Sequence, residues 1–179
     1  MIVALAGRRI DPPSEAHARF PLDRVDRVRE RIRTALEAGG AGVLVCAAAC
    51  GADLIALAVA EELGMRRCIT LPFGDAEFRT SSVTDRPGDW GPLYDRLIGA
   101  ARTSGDLEIL SGPPSAQGVY ADANAAIIDR ALALAREMTQ PIGAIAVWDG
   151  PIAGRTDHTK DFVEVAQRHG IVVRTIGII

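Results

Sequence analysis

The segment AVWDGPIAGRTDHTKDF, residues 146–162, gathers the groups of this chain that could do chemistry. Asp149 and Asp157 flank a turn that carries Gly150, Gly154, Arg155 and Thr156, and His158 follows where a helical pattern begins. A glycine-bearing turn between an apolar strand and a helix N-terminus suits an anion, because free N–H groups and the helix dipole both favour negative charge there. One mechanism is disfavoured by count. The phosphate loop G-x-x-x-x-G-K-[ST] needs one more spacer residue and a lysine than Gly150–Thr156 supplies. Thr156 or Asp157 can cap the helix, and His158 reads as a solvent-facing residue of its first turn.

Other groups fall at comparable places. Gly7-Arg8-Arg9 follows the first apolar run, where glycine permits close backbone approach and an arginine can hold a phosphate with two hydrogen bonds. The dinucleotide fingerprint G-x-G-x-x-G is absent there. The second apolar run ends in Ala47-Ala48-Ala49 and lacks an acid for a ribose diol, which argues against conventional NAD binding. Gly51, Ala52 and Asp53 open the next helical stretch. The small residues suggest room for a ligand, and Asp53 is either a capping carboxylate or a ligand contact. Pro72-Phe73 ends the third run. Arg79 and Ser81 beyond it could clamp a phosphate or ribose, and Phe73 or Trp148 could lie near a base. Asn124 sits among alanines and isoleucines, where it either tethers a loop or touches a ligand.

The elements that must position these groups are legible from periodicity. Six short continuous apolar runs occur: IVALA, GVLVCAA, RCITL, LEIL, AIAVW and IVVRTI. Continuous runs are what a sheet buried on both faces requires. Between them lie helical patterns, such as DRVDRVRERIRTALEAGG with Val25, Val28, Ile32, Ala35 and Leu36 on one stripe. The alternation predicts one α/β domain over residues 1–179, with a six-stranded parallel sheet between two helical layers and the strand order 3-2-1-4-5-6. Residues 8–23 and 72–90 are too long for ordinary connections and are expected to act as ligand lids.

Composition narrows the function classes. The chain has 179 residues, 48% hydrophobic and 24% charged, with a formal charge of −3. That balance suits a globular domain and provides no basic field for gripping nucleic acid. No apolar stretch is long enough for a membrane helix and no signal peptide is evident, so a cytoplasmic location is expected. Cys46, Cys50 and Cys68 form neither a disulfide framework nor a metal-ligand set, so no metal or cofactor is expected.

Taken in order, these motifs resemble the SLOG superfamily of Rossmann-like domains, which includes LOG-type phosphoribohydrolases, DNA-processing protein A and YpsA-type proteins. The resemblance rests on Gly7-Arg8-Arg9-Ile10-Asp11, on Ala47 to Asp53, on Pro72-Phe73 and on Gly150 to Thr156. The turn AACGADL with LPF and FRTSSV looks most like the sensor-type members. The resemblance implies a pocket for a nucleotide-derived ligand at the carboxyl edge of the sheet, and commonly a homodimer. Its phosphate would lie between the Gly51 turn and the Gly150–Thr156 loop, neutralised by Arg8, Arg79 and Arg155. The enzymatic members cleave the N-glycosidic bond of nucleoside monophosphates and carry P-G-G-x-G-T-x-x-E. Here the adjacent glycine pair and the glutamate are missing, so binding as a sensor or carrier is expected ahead of cleavage, with Asp149 or Asp157 as the carboxylate if a bond is cut.

Overall fold

The computed structural model describes residues 1–15, 18–116, 118–151 and 157–179. Strand β1 (Ile2–Gly7) leads through a 3-10 turn (Leu22–Arg24) to α1 (Val25–Ala38). Then come β2 (Val43–Cys46), α2 (Ala52–Glu62), β3 (Arg66–Leu71), α3 (Asp75–Ser82) and α4 (Gly91–Ser104). The chain closes with β4 (Leu107–Ile109), α5 (Val119–Glu137), β5 (Ile142–Val147), α6 (His158–Arg168) and β6 (Val173–Ile176). All strand pairings are parallel.

Alternate residues of each central strand serve two cores. Val3, Leu5, Leu44 and Ile69 pack with α1, α2 and α4. Ile2, Ala4, Val43, Val45 and Ala144 pack with α5 and α6. This two-sided burial is why the strands read as continuous apolar runs rather than alternating ones. Helix α2 is apolar on nearly every face because it is wedged between the sheet and its neighbours α1 and α4. No described helix is long and apolar enough to cross a membrane.

The result is a doubly wound, Rossmann-like α/β fold, with one correction to the expected order. The strands run β4-β3-β2-β1-β5-β6, so the fourth strand borders β3 and not β1. Its sequence explains the placement. β4 has three residues, and Glu108 and Ile109 are exposed, as suits the end of a sheet. The chain must then return over four inter-strand steps, roughly 19 Å, to reach β5 beside β1. Helix α5, with 19 residues and a length of about 28 Å, makes that crossing and touches β1, β2, β3 and β5 on the way. The winding direction therefore reverses between β1 and β5, and a crevice opens there at the carboxyl ends of the strands.

The second correction concerns residues 72–90, which contain the eight-residue helix α3. Its sequence DAEFRTSS has a single large apolar anchor, Phe78, which leaves little periodicity to read. Phe78 is buried between Phe73 (ring centroids 5.8 Å apart) and Tyr94 (6.2 Å). These aromatic contacts pin the segment to the core, so it is not a loose lid.

Candidate functional site

A cleft of about 380 Å³ lies at the reversal point, within the size range of small-molecule sites. Gly7, Ala47, Ala49 and Asp53 meet there from the ends of β1 and β2 and the start of α2. Arg8, Arg9 and Asp11 line it from the segment after β1, Pro72 and Ser82 from around α3, and Tyr120 and Asn124 from α5. Asp157, His158 and Thr159 close it from the start of α6.

Gly7 is required by packing. A Cβ there would lie 2.4 Å from Ala52 Cβ, 2.7 Å from Val147 Cβ and 2.9 Å from Val147 O. Gly51 is required twice over. Its φ is +98°, and a Cβ would sit 2.7 Å from Arg8 O and 2.9 Å from Ile10 N. The small residues of the AACGAD turn thus admit the Arg8–Ile10 backbone, and they do not leave an open ligand space at Gly51. The Ala52 N–H donates to Arg8 O at 3.1 Å, and neither Gly51 nor Ala52 lines the cleft.

At the other helix start, Asp157 does what a bound anion would do. Its Oδ1 accepts from the N–H groups of Thr159 (3.1 Å) and Lys160 (3.2 Å). Its Oδ2 takes Arg8 Nη2 at 3.1 Å, with the two side chains only 11% and 4% exposed. The same Arg8 nitrogen reaches Gly150 O at 2.6 Å. Asn124 Nδ2 donates to His158 O at 2.8 Å and fixes the α6 start against α5. The Tyr120 and His158 rings lie 4.9 Å apart and tilted by 35°, an aromatic ledge on the cleft wall.

The arginines on the other wall are also engaged. Asp85 pairs with Arg9 and, at 3.2 Å, with Arg86, which lines the cleft mouth. Asp11 Oδ2 accepts from the N–H groups of Arg19 (2.7 Å) and Phe20 (2.8 Å), which holds these two residues beside Asp11. Arg19 itself has no ion pair among the described residues.

Asp53 is the exception in this satisfied network. It is 7% exposed and its Oδ2 accepts from Ala49 N–H at 3.2 Å. Its Oδ1 is buried and has no hydrogen-bond partner among the described residues. Burial raises its pKa to about 7, against the opposing pull of the Ala49 N–H, the Arg9 charge and the nearby Gly7 N–H. Arg8 Nε and Arg9 Nε are likewise buried without partners. Three unfilled polar atoms around one cleft are uncommon, because buried polar groups are nearly always satisfied.

Of the residues singled out from sequence, the fold brings Gly7, Arg8, Asp53, Pro72, Asn124 and Asp157 to the cleft. It places others elsewhere. Arg79 pairs with Asp95 at 2.7 Å on the outer side of α3, because an α-helix that buries Phe78 turns its neighbour outward. Ser81 is exposed and bonds back to Glu77 O at 2.9 Å. Phe73 is core, and Phe78 reaches the cleft in its place. Trp148 is buried outside the cleft, where its backbone N–H donates to Ile176 O at 2.9 Å. Asp149 is exposed and accepts from Ile178 N–H at 2.8 Å, which ties the C-terminal residues to the end of β5. Gly154, Arg155 and Thr156 lie outside the described residues. Ser82, Arg86, Arg19 and Glu15 line the cleft without having been singled out. Their only advance signal was membership of the two overlong connections.

No family model matches the sequence, and no curated protein matches it. Among solved structures, the chain is similar to the X-ray structure of DNA processing protein A from Streptococcus pneumoniae, at 17% identity and a TM-score of 0.42. That similarity covers 98% of this chain and 58% of that one, so the chain spans less than two thirds of the protein it matches.

Proposed function

We propose that this chain binds a nucleotide or nucleotide-derived small molecule in the cleft at the carboxyl ends of β1 and β2, and acts as a sensor or carrier domain of the SLOG type. The observation that carries the reading is the buried, unpartnered Asp53 Oδ1 at a cleft that stands where doubly wound sheets bind ligands. The Tyr120–His158 ledge offers a face for a base. The anionic end of the ligand faces Arg19, which lines the cleft and has no ion pair among the described residues. This moves the phosphate away from the Gly51 turn, whose Ala52 amide is already taken by Arg8 O.

Cleavage of the ligand is the weaker reading for a specific reason. Asp157 is held by Arg8 and two backbone amides, and Asp149 is turned toward the C-terminal backbone. Neither carboxylate is poised for an oxocarbenium-like ribose. The test is a thermal-shift and native mass spectrometry screen with AMP, GMP, IMP, CMP and UMP, run beside an assay for free base. We expect a stabilising shift and no base release. Base release that Asp157→Ala or Asp149→Ala abolishes would refute the sensor reading. No shift at millimolar nucleotide would refute nucleotide binding itself.

A further inference from the structure

The nucleotide reading leaves open what the buried end of the cleft recognises. Asp53 answers through geometry. One carboxyl oxygen is already taken by Ala49 N–H, and the other has no donor among the described residues. Gly7, Ala47 and Ala49, which line the cleft beside it, carry no polar side chain, and the Gly7 N–H, though near enough to pull the Asp53 pKa down, makes no hydrogen bond to that oxygen. A carboxyl oxygen sealed from water and given no donor costs free energy until something fills the place.

We infer that Asp53 Oδ1 accepts a hydrogen bond from an uncharged O–H or N–H of the bound ligand, so the buried end of the cleft selects a ligand by a neutral donor. The inference rests on the nucleotide reading and adds the chemistry of its inner contact. A ribose hydroxyl and a base N–H share that chemistry. A cationic donor is disfavoured, because Arg8 and Arg9 already flank this end of the cleft.

A regulatory consequence follows. Arg9 lies on the segment after β1, and on β2 Cys46 stays a neutral thiol because burial raises its pKa. The other charged groups of the cleft near α2 are Arg8 paired with Asp157, Asp11, Glu15, Arg19, Arg86 and the titratable His158. The buried α1 side chains that pack against α2 are apolar, while Arg29 and Arg33 of α1 bind Glu62 at the far end of α2, where Arg67 and Arg96 bind Glu61. Asp53 is thus the inner group that changes charge near neutrality. The donor needs the carboxylate, so binding expels the proton that Asp53 holds at lower pH.

The experiment is calorimetry of the whole chain with the tightest of AMP, GMP, IMP, CMP and UMP, in two buffers of different ionisation enthalpy, for wild type and Asp53→Asn. Asparagine keeps an acceptor oxygen and cannot titrate. The nucleotide phosphate titrates alike in both proteins and cancels. Wild type is expected to release about 0.9 proton more than Asp53→Asn at pH 6, and to lose about tenfold more affinity between pH 8 and pH 6. Equal proton counts overturn the inference while leaving nucleotide binding intact. Proton uptake by wild type overturns it too, since Asp53 would then be donating as an acid. Failure of every nucleotide to bind wild type overturns the nucleotide reading and this inference with it. If the excess is seen, 2′-deoxy and 3′-deoxy analogues separate the two sources. Its loss with an analogue assigns a hydroxyl, and its persistence assigns the base.

Discussion

Asp53→Asn tests the electrostatics of the cleft without any ligand. The carboxyl is raised from its usual 3.8 to about 7, with burial as the main cause. The folded protein therefore holds this proton to higher pH than the unfolded chain does. An acid with a raised folded pKa leaves stability intact below about pH 4 and erodes it as pH climbs to 7. A rise from 3.8 to about 7 corresponds to about 4 kcal/mol when fully expressed. Between pH 5 and pH 8 the part still to be lost is about 3 kcal/mol. Asparagine cannot ionise and escapes this loss. The stability difference between Asp53→Asn and wild type should therefore shift by about 3 kcal/mol in favour of the variant over that range. For a chain of this length that is a relative Tm change of about 6–12 °C. Urea denaturation at pH 5, 6, 7 and 8 measures it, and every other group cancels between the two proteins. A stability difference that stays flat from pH 5 to pH 8 would refute the argument, because it would mean that Asp53 is ionised throughout.

Four further outcomes follow from the packing. Gly7→Ala must push a Cβ against Ala52, Val147 and the Val147 carbonyl, none of them the end of a flexible side chain, and is expected to cost about 3 kcal/mol in urea denaturation. Gly51→Ala meets both a positive φ and the Arg8–Ile10 backbone. It should cost clearly more than Gly105→Ala, which has φ +75° but nothing within 4 Å and should cost about 1 kcal/mol. Asp157→Ala removes a helix cap and strands the buried Arg8, for an expected loss of about 3–5 kcal/mol, whereas Asp157→Asn keeps a capping oxygen and should recover about 1 kcal/mol of it. Arg79→Ala should leave nucleotide affinity unchanged in a binding titration, because Arg79 pairs with Asp95 outside the cleft.

Much of the fold was legible because its signals are local. Continuous apolar runs, helical stripes and glycine stops act within windows of about ten residues, and they placed the six described strands and five of the six described α-helices. α3 escaped because eight residues with one large apolar anchor carry almost no period. Part of the cleft was legible for a topological reason. In a parallel sheet every carboxyl strand end faces the same way, so Gly7, Asp53 and Pro72 had to converge once the strands were assigned.

The sequence by itself determined the class of sheet, the two helical layers and the short list of polar groups near the strand ends. Tertiary structure decided which of those groups face a ligand, because that depends on contacts between residues far apart in the chain. Arg8 meets Asp157 across 149 positions and Asn124 meets the His158 carbonyl across 34. It also decided that strand 4 lies at the sheet edge, through the long crossing of α5. Above all, it decided which charges are already answered. Asp157 is satisfied by a helix start and an arginine, and Asp53, a carboxylate of the same kind, has one oxygen left without a partner. Residue type and spacing are silent on that difference, because it arises only when the segment after β1 closes over the start of α2 and shuts water out.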